Sequence, residues 1–281
     1  MADQDLLIRK SAVAGTFYPA ERERLSADIS TFINQVDTDR SAEEIVALVA
    51  PHAGYMYSGQ VAAYAYRQLK GRSMDTVVVI SPSHREYFEF SSVFGGTAYE
   101  TPLGRVEIDE DAAGRITEAG GKLDVRISAS GHMHSSEHAL EVHLPFLQTV
   151  LTDFKLVAIV MGRQDEESCR QLGRALSSAL EGRRAMIVAS TDLSHFHTQQ
   201  TARGLDQNVV DRIDGFDPEG LLADVAANNC EACGAGPMAA AMFAAGSMGA
   251  TKGECLNYAT SGEISGDFNQ VVGYVSAIIY R

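Results

Sequence analysis

The stretch IVALVAPHAGYMYSG, residues 45–59, joins an apolar run to a proline, a histidine, tyrosines and glycines. Six consecutive apolar residues bounded by a proline are typical of a short strand that is buried on both faces, as in a sheet covered by helices. A surface turn needs glycine or proline, but it does not need His52 between them. The stretch therefore predicts a buried strand that places His52 where the strand ends.

Similar apolar runs recur along the chain and alternate with segments that have a helical pattern. The runs are TVVVI at 76–80, KLVAIVM at 155–161, AMIVAS at 185–190 and GYVSAIIY at 273–280. The helical segments are 21–36, 58–71 (with Ser58 as N-cap and Gly71 as the stop), 167–182 and 237–248. This alternation predicts an α/β fold: one domain over residues 1–281, with a central, mostly parallel or mixed β-sheet flanked by helices. A further pair of strands is predicted within 86–110, with EYFEFSSVFGG (86–96) and TPLGRVEID (101–109) flanking a short turn.

The composition limits the classes of partner. The 281 residues are 45% hydrophobic and 21% charged, which is ordinary for a globular protein, and their formal net charge is −14. Such a surface repels nucleic acid and anionic lipid, so we expect neither nucleic acid nor a membrane as a main partner. The sequence has no apolar run of about 18 residues and no signal-peptide pattern, so we predict a cytoplasmic protein.

The cysteine pattern does not suggest a disulfide framework in a cytoplasmic chain. Cys230 and Cys233 form one C-x-x-C. The second C-x-x-C that a structural zinc ribbon needs is missing, so we do not predict a ribbon. We assign structural roles to Cys169, Cys230 and Cys255, and consider Cys233 separately.

Three of the predicted strands are followed by histidine within two to five residues. They deliver His52, His84 and, in TDLSHFH, Asp192 with His195 and His197. In open α/β sheets ligands bind at the carboxyl ends of the strands, where the loops converge. Each histidine taken alone is more often a hydrogen-bonded loop residue than a ligand, but their equivalent positions predict a shared crevice. His197 lies further past its strand and is the weakest candidate.

Cys233 stands in CGAGP, just before an Ala/Met-rich helix that Pro237 can open in its first turn. A thiol near a helix N-terminus is favoured as the thiolate, although a free cysteine is commonly just a small buried hydrophobe. Two imidazoles and one thiolate suit iron(II), copper or zinc and leave coordination positions open. His195 would then be the acid/base group. The spacing leaves open whether Asp192 orients it.

The segment SSEHALEVHLPFLQTVL, residues 135–151, concentrates further titratable side chains. Its apolar periodicity favours a core helix with a polar lead-in, kinked at or beginning near Pro145. The alternative places Glu137 or His138 at the rim of the crevice. The role of His143 stays open, and the neighbouring GHMH at 131–134 is too irregular to interpret.

Seven motifs in this order resemble the Memo family, and they span nearly the whole chain. They are AGTFYP (14–19), APHAGYMYSG (50–59), SPSH (81–84), EHALEVHLPF (137–146), STDLSH (190–195), CGAGP (233–237) and LNYATSG (256–262). The family is similar in fold to the LigB-type class III extradiol dioxygenases, which hold non-haem iron(II) with two histidines and a glutamate.

The resemblance implies that His52 and His84 match the two metal histidines, and that Cys233 stands where the dioxygenases have their glutamate. It also implies that Asp192 and His195 are pocket residues, with His195 similar to the dioxygenase acid/base histidine. Family members have been associated with iron or copper redox chemistry, with phosphotyrosine peptides and with radical-SAM partner proteins. Since a thiolate replaces a carboxylate, ring cleavage rests on analogy alone.

We therefore expect a metal-binding protein that holds iron(II), or else copper or zinc, and acts as an oxidoreductase on an unidentified small molecule. One alternative is a non-catalytic module that binds a peptide or phosphotyrosine in the same pocket, with Tyr55 and Tyr57 shaping its mouth. The other is a metal-dependent hydrolase in which zinc activates water.

Overall fold

The five apolar runs of the sequence form strands of one large mixed sheet. The computed structural model describes residues 7–40, 43–121, 124–128 and 132–281. Its strands are β1 (Ile8–Arg9), β2 (Ile45–Ala50), β3 (Thr76–Pro82), β4 (Ser91–Phe94), β5 (Ala98–Thr101), β6 (Gly104–Glu107), β7 (Val125–Ser128), β8 (Lys155–Met161), β9 (Ala185–Ser190), β10 (His195–His197), β11 (Lys252–Thr260) and β12 (Val271–Tyr280).

The strand order of the large sheet is β10-β12-β2-β9-β3-β8-β4-β7, and β11 also pairs with β12. The four central strands, β2, β9, β3 and β8, are mutually parallel. β12 and β4 join them antiparallel on either side. A small separate sheet has the order β1-β5-β6. The carboxyl ends of four adjacent strands therefore meet at one edge.

Helices cover both faces of the large sheet. They are α1 (Arg22–Asn34), α2 (Tyr55–Arg67), α3 (Glu110–Gly120), α4 (His132–Ser135), α5 (Leu144–Val150), α6 (Glu166–Ala179), α7 (Gln199–Asp214), α8 (Pro218–Ala226), α9 (Ala235–Ser247) and α10 (Gly262–Ser265), with a 3₁₀ turn at Glu141–His143. None of the helices in the described ranges is long and apolar enough to span a bilayer.

The core has two halves because successive strand residues point to opposite faces. In β3, Val78 and Ile80 pack with α3, α6 and α9 on one face, whereas Val77 and Val79 pack with α1, α2 and α5 on the other. All seven residues of β3 are buried. This explains why the central strands are apolar without alternation, and it confirms the α/β fold class with a mixed sheet flanked by helices.

Some boundaries differ from those predicted. Helix α2 begins at Tyr55 rather than after Ser58, because Gly54 occupies the N-cap position and the Ser58 hydroxyl donates to the Ala53 carbonyl. The helix ends at Arg67, before Gly71. Within 86–110 the predicted pairing was wrong: β4 joins the large sheet beside β8, and the antiparallel pair is β5 with β6.

The segment 135–151 is not one helix. A 3₁₀ turn at Glu141–His143 leads into α5, which has Pro145 in its first turn, where a missing backbone N–H costs nothing. Glu137 and His138 precede both and lie outside any helix. Gly131 of the GHMH stretch lies outside the described residues.

Candidate functional site

The carboxyl ends of the parallel strands bring together side chains that are far apart in sequence. β2 leads to His52, β9 to Asp192 and β3 to His84, and these three strands are neighbours in the order β2-β9-β3. The ring centroids of His52 and His84 are 5.0 Å apart. His52 is buried, with 2% of its surface exposed, whereas His84 is exposed. The site therefore runs from the interior to the surface.

His52 is held at three points. Its backbone amide donates to Asp192 Oδ1 over 2.8 Å, and its Nδ1 lies 2.7 Å from Ser190 Oγ. Its Nε2 lies 3.3 Å from Cys233 Sγ and 3.8 Å from Asp192 Oδ2. Burial, followed by the neighbouring His84 and His138, lowers the pKa of His52 well below its ordinary value, so the ring is neutral.

His84 is oriented by the buried carboxylate of Glu137. Glu137 Oε2 accepts from the His84 amide over 2.6 Å, and Oε1 lies 3.1 Å from His84 Nδ1. Burial would raise the pKa of Glu137, but the hydrogen bonds from the His84 side chain and from the Ala139 and His84 amides outweigh it and lower this pKa to about 2. Glu137 is thus a carboxylate that accepts a hydrogen bond from His84 Nδ1–H, which leaves Nε2 of His84 as the free nitrogen.

Cys233 reaches the site because the turn that carries it lies against β9. A Cβ on Gly234 would come within 2.0 Å of the Ser190 carbonyl oxygen, so only glycine allows this approach. Gln164, which follows β8, closes the turn: its Nε2 donates to the Cys233 carbonyl over 3.1 Å, and its Oε1 accepts from the Gly236 amide over 2.8 Å.

The thiol of Cys233 is neutral in the absence of a cation, contrary to the expectation from its place before α9. Burial and the negative charge of Asp192 raise its pKa to about 12. The Asp192 amide lies 3.3 Å from the sulfur, and this partial positive charge does not offset the loss of water. A bound divalent cation would supply the missing charge and deprotonate the thiol.

One nitrogen of each of His52 and His84 and the sulfur of Cys233 lie within 4.8 Å of one another. Two imidazoles and one sulfur form a borderline-soft donor set, which fits iron(II), copper or zinc and does not fit magnesium or calcium. Three protein donors also leave at least one coordination position open. The residues present therefore fit the metal that the family resemblance implies.

Asp192 and His195 do not pair with each other in the way that a catalytic dyad would. Asp192 Oδ1 accepts from the His52 amide, and burial raises the pKa of its carboxyl. His195 Nδ1 lies 2.7 Å from the Leu193 carbonyl oxygen, which can only accept. Nδ1 of His195 therefore carries a proton, and the backbone rather than Asp192 sets the ring orientation. His197 turns away and lies 2.9 Å from Glu231.

His138 belongs to the polar lead-in of α5, and this lead-in brings it into the site, where the alternative interpretation placed it. Its ring centroid is 4.8 Å from that of His84 and 5.7 Å from that of His52. Its Nδ1 is 3.3 Å from Glu137 Oε1, without hydrogen-bond geometry to any described residue. The sequence signal was the compact E-H-A-L-E-V-H cluster, but its apolar periodicity masked it.

Sequence reasoning also missed the residues behind the site. Glu141 is buried and accepts from the Ala12 and Val13 amides over 2.8 and 3.1 Å, and from Arg9 and the Tyr18 hydroxyl. These contacts hold the segment that contains AGTFYP (14–19) next to the site. The only sequence signal was the order of the motifs, since nothing in the spacing pairs a residue near 10 with one near 140.

Exposed aromatic side chains follow three of the histidines in sequence. Tyr57, Tyr87 and Phe196 follow His52, His84 and His195 by a few residues and are exposed. Phe196 has a φ of 63°, a conformation that bulky residues rarely adopt, and 70% of its surface is exposed. Tyr55, in contrast, is buried and its hydroxyl donates to the Val142 carbonyl, so it does not shape the mouth.

Comparisons with known proteins agree with the motif order. The family model described as "Memo-like protein" matches residues 9–278. MEMO1 family proteins of Methanopyrus kandleri and Methanothermobacter thermautotrophicus are 38% and 39% identical to this chain, over 97% and 95% of it and 99% of their own lengths.

A solved structure of an uncharacterized Escherichia coli K12 protein has a similar fold, with a TM-score of 0.53 and 16% identity. The match covers 84% of this chain and 99% of the other, and at that identity it concerns the fold alone. The family assignment rests instead on the match over residues 9–278 and on relatives of nearly equal length. The chain belongs to the Memo family.

Proposed function

We propose that this protein binds iron or copper through His52, His84 and Cys233 and acts as an oxidoreductase on a small molecule. The observation that carries the proposal is the approach of their three donor atoms to within 4.8 Å of one another. The exposure of His84 supports it as well, because a substrate can reach this side of the site from solvent. The donor set is softer than the two histidines and glutamate of the dioxygenases, which favours electron transfer to or from the substrate over ring cleavage.

A redox metal held there would supply electron transfer and a Lewis acid for an oxygen or nitrogen atom of the substrate. The protein contributes orientation and proton handling. Glu137 and Ser190 fix the rings of His84 and His52 through their Nδ1 atoms. His195 donates Nδ1–H to the Leu193 carbonyl, so its Nε2 is the basic nitrogen that would take a proton from the substrate and return it.

The two alternatives each have one supporting observation. Three donors with an open position also suit zinc and a hydrolytic water, which supports a metal-dependent hydrolase. Two exposed aromatic side chains close in sequence to His84 and His195, Tyr87 and Phe196, support a peptide-binding module that uses the same crevice. By family resemblance, such a peptide could belong to a radical-SAM partner protein.

Metal content tests the first step of the proposal. The protein is stripped with a chelator, reconstituted anaerobically with iron(II), copper(I) or zinc, and desalted before elemental analysis. We expect one equivalent of metal in the wild type and a loss of at least ten-fold in affinity in Cys233→Ser. Cys255→Ser is the matched control, because Cys255 is also partly exposed and lies in β11. Equal metal binding by all three proteins would refute the assignment of Cys233.

Activity separates the alternatives. The metal-loaded protein is assayed for oxygen consumption with catechols and other phenols, and for hydrolysis of ester substrates with zinc under anaerobic conditions. Oxygen consumption that is lost in His195→Gln supports the oxidoreductase. Hydrolysis by the zinc form alone would replace it with the hydrolase, and peptide binding that is unchanged by chelation would favour the binding module.

A further inference from the structure

A chain of buried hydrogen bonds leads from α2 through three side chains to His52. The Tyr66 hydroxyl lies 2.7 Å from His143 Nδ1, and His143 Nε2 lies 2.7 Å from Ser190 Oγ. Ser190 Oγ lies 2.7 Å from His52 Nδ1 and 2.9 Å from the carbonyl oxygen of Ala139. Tyr66, His143, Ser190 and His52 are each at most 2% exposed. Water therefore does not compete for these hydrogen bonds.

The number of protons available to these hydrogen-bonded side chains leaves one arrangement that satisfies every contact. Ser190 has a single hydroxyl proton, and the Ala139 carbonyl oxygen can only accept. If Ser190 gave its proton to a histidine instead, two oxygens with lone pairs would face each other at 2.9 Å. Ser190 therefore donates to Ala139, and both imidazoles donate to Ser190: His52 through Nδ1–H and His143 through Nε2–H.

The far end of the chain agrees with this assignment. Burial lowers the pKa of His143 to about 3, so the ring carries one proton, on Nε2, and its Nδ1 must accept. The only donor that the described structure places at Nδ1 is the Tyr66 hydroxyl, at 2.7 Å. Burial also raises the pKa of Tyr66 well above its ordinary value, so the phenol keeps its proton and donates it. Every polar atom of the chain is then paired with the correct partner.

We propose that Ser190, His143 and Tyr66 are positioning residues that hold the proton of His52 on Nδ1 and so keep Nε2 unprotonated towards Cys233. This proposal deepens the proposed metal-binding function and rests on it for its purpose. Free neutral histidine in water prefers its proton on Nε2, which in this site would point an N–H at the Cys233 sulfur, 3.3 Å away. Without these hydrogen bonds, His52 is therefore free to adopt the tautomer that cannot bind a metal through Nε2.

The two histidines of the site are set in the same tautomer by different means. Glu137, an ionised carboxylate, accepts from His84 Nδ1–H at the exposed side of the site. At the buried side, a neutral hydroxyl does the same for His52 and is itself oriented by a carbonyl and a second imidazole. Because the side chains that orient His52 are neutral, no second buried charge is placed beside Asp192.

The test is the tautomer of His52 in the metal-free, full-length protein. Long-range ¹H–¹⁵N correlation spectra of ¹⁵N-histidine-labelled protein distinguish protonated from unprotonated ring nitrogens, and His52→Gln and His143→Gln assign the two spin systems. We expect protonated Nδ1 in His52 and protonated Nε2 in His143. A wild-type spectrum with the proton on Nε2 of His52 would overturn the proposal, and this measurement needs no folded Ser190 variant.

A variant pair then tests the cause. Ser190→Ala should shift His52 towards the Nε2-protonated tautomer and weaken cobalt(II) binding, followed by its thiolate charge-transfer absorption, by 10- to 100-fold. Ser276→Ala is the matched control, because Ser276 is equally buried in β12 of the same sheet and its hydroxyl has no partner among the described residues. An unchanged His52 tautomer in folded Ser190→Ala would overturn the proposal.

The hydrogen-bonded positioning of His52 and the proposed metal-binding function can be refuted separately. If wild-type protein shows the expected tautomers but binds no cobalt(II), iron(II) or copper(I), the hydrogen-bond chain stands and the proposed metal function falls. If it binds metal with Cys233 as a ligand but His52 carries its proton on Nε2 in the metal-free state, the metal function stands and the positioning role of the chain falls.

Discussion

Replacing Gly234 by alanine should damage the site, because the turn that carries Cys233 has no room for a Cβ beside β9. The new Cβ would lie 2.0 Å from the Ser190 carbonyl oxygen and 2.7 Å from Thr191 Cβ. Side-chain carbons essentially never approach another heavy atom closer than 3.0 Å, so the turn must retreat from β9 by about 1 Å. Ser190 is the last residue of β9, and Thr191 follows it. β9 cannot move to make room, because it is packed between β2 and β3 in the sheet.

This displacement acts on two measurable quantities. Overpacking of a close backbone contact should lower the free energy of unfolding by about 1–3 kcal/mol. The movement also carries the neighbouring Cys233 away from His52, where the sulfur and Nε2 now lie 3.3 Å apart. Metal–ligand distances tolerate only about 0.2 Å, so we expect metal affinity to fall by at least ten-fold.

Urea unfolding and cobalt(II) titration measure the two effects. The control is Gly204→Ala, since Gly204 lies inside α7 with nothing within 4 Å of the added Cβ. There the same substitution should stabilise the protein by about 0.5–1 kcal/mol, because alanine is the better helix former. A Gly234→Ala variant with wild-type stability and wild-type cobalt(II) affinity would refute the close approach of this turn to β9.

Three further predictions concern residues around the site and the core. Glu137→Gln should lower metal affinity 10- to 100-fold with the fold intact, because His84 loses its charged acceptor; chelator competition measures this, and unchanged affinity would contradict it. Gln164→Ala should lower the free energy of unfolding in urea by about 1 kcal/mol and speed the alkylation of Cys233, because two hydrogen bonds that close the turn are lost. An unchanged alkylation rate would contradict this role. Burial lowers the pKa of His134 from 6.5 to about 3. As the pH falls, the unfolded chain therefore protonates this ring before the folded protein does. The contribution of neutral His134 to the free energy of unfolding, which is present above pH 6.5, is lost as the pH falls towards 3. Urea unfolding from pH 7.5 to 5.5 should therefore show a shallower pH dependence in His134→Gln, by up to about 1.4 kcal/mol per pH unit, and parallel curves would disprove this contribution.

The strands that carry the site were predictable because their burial on both faces leaves a local trace. Continuous apolar runs mark β2, β3, β8 and β9 within a residue or two of their observed bounds. The pairing within 86–110 was not predictable, since β4 pairs with β8, more than sixty residues away along the chain. Local pattern contains no information about which distant strand offers a free edge.

The site itself shows the same division. The strand-end positions of His52 and His84 followed from the sequence, and the structure brings them together with Cys233; their role as metal ligands stays a prediction. His138 was assigned to the polar lead-in of a core helix, and α5 does begin after it, at Leu144; the local pattern did not show that this lead-in packs beside His52 and His84. The protonation of Cys233 was also misjudged, because burial outweighs the helix N-terminus.

The sequence by itself determined the five buried strands and the helices between them, the edge of the sheet at which the histidines emerge, and the resemblance to the Memo family. Only the tertiary structure decided which nitrogen of each histidine faces Cys233, because that depends on Ser190, Glu137 and His143, which reach the site from other segments of the chain. Apolar periodicity is a local property that burial imposes on neighbouring residues. A hydrogen-bond network is not local, since its donors and acceptors meet only after the chain has folded.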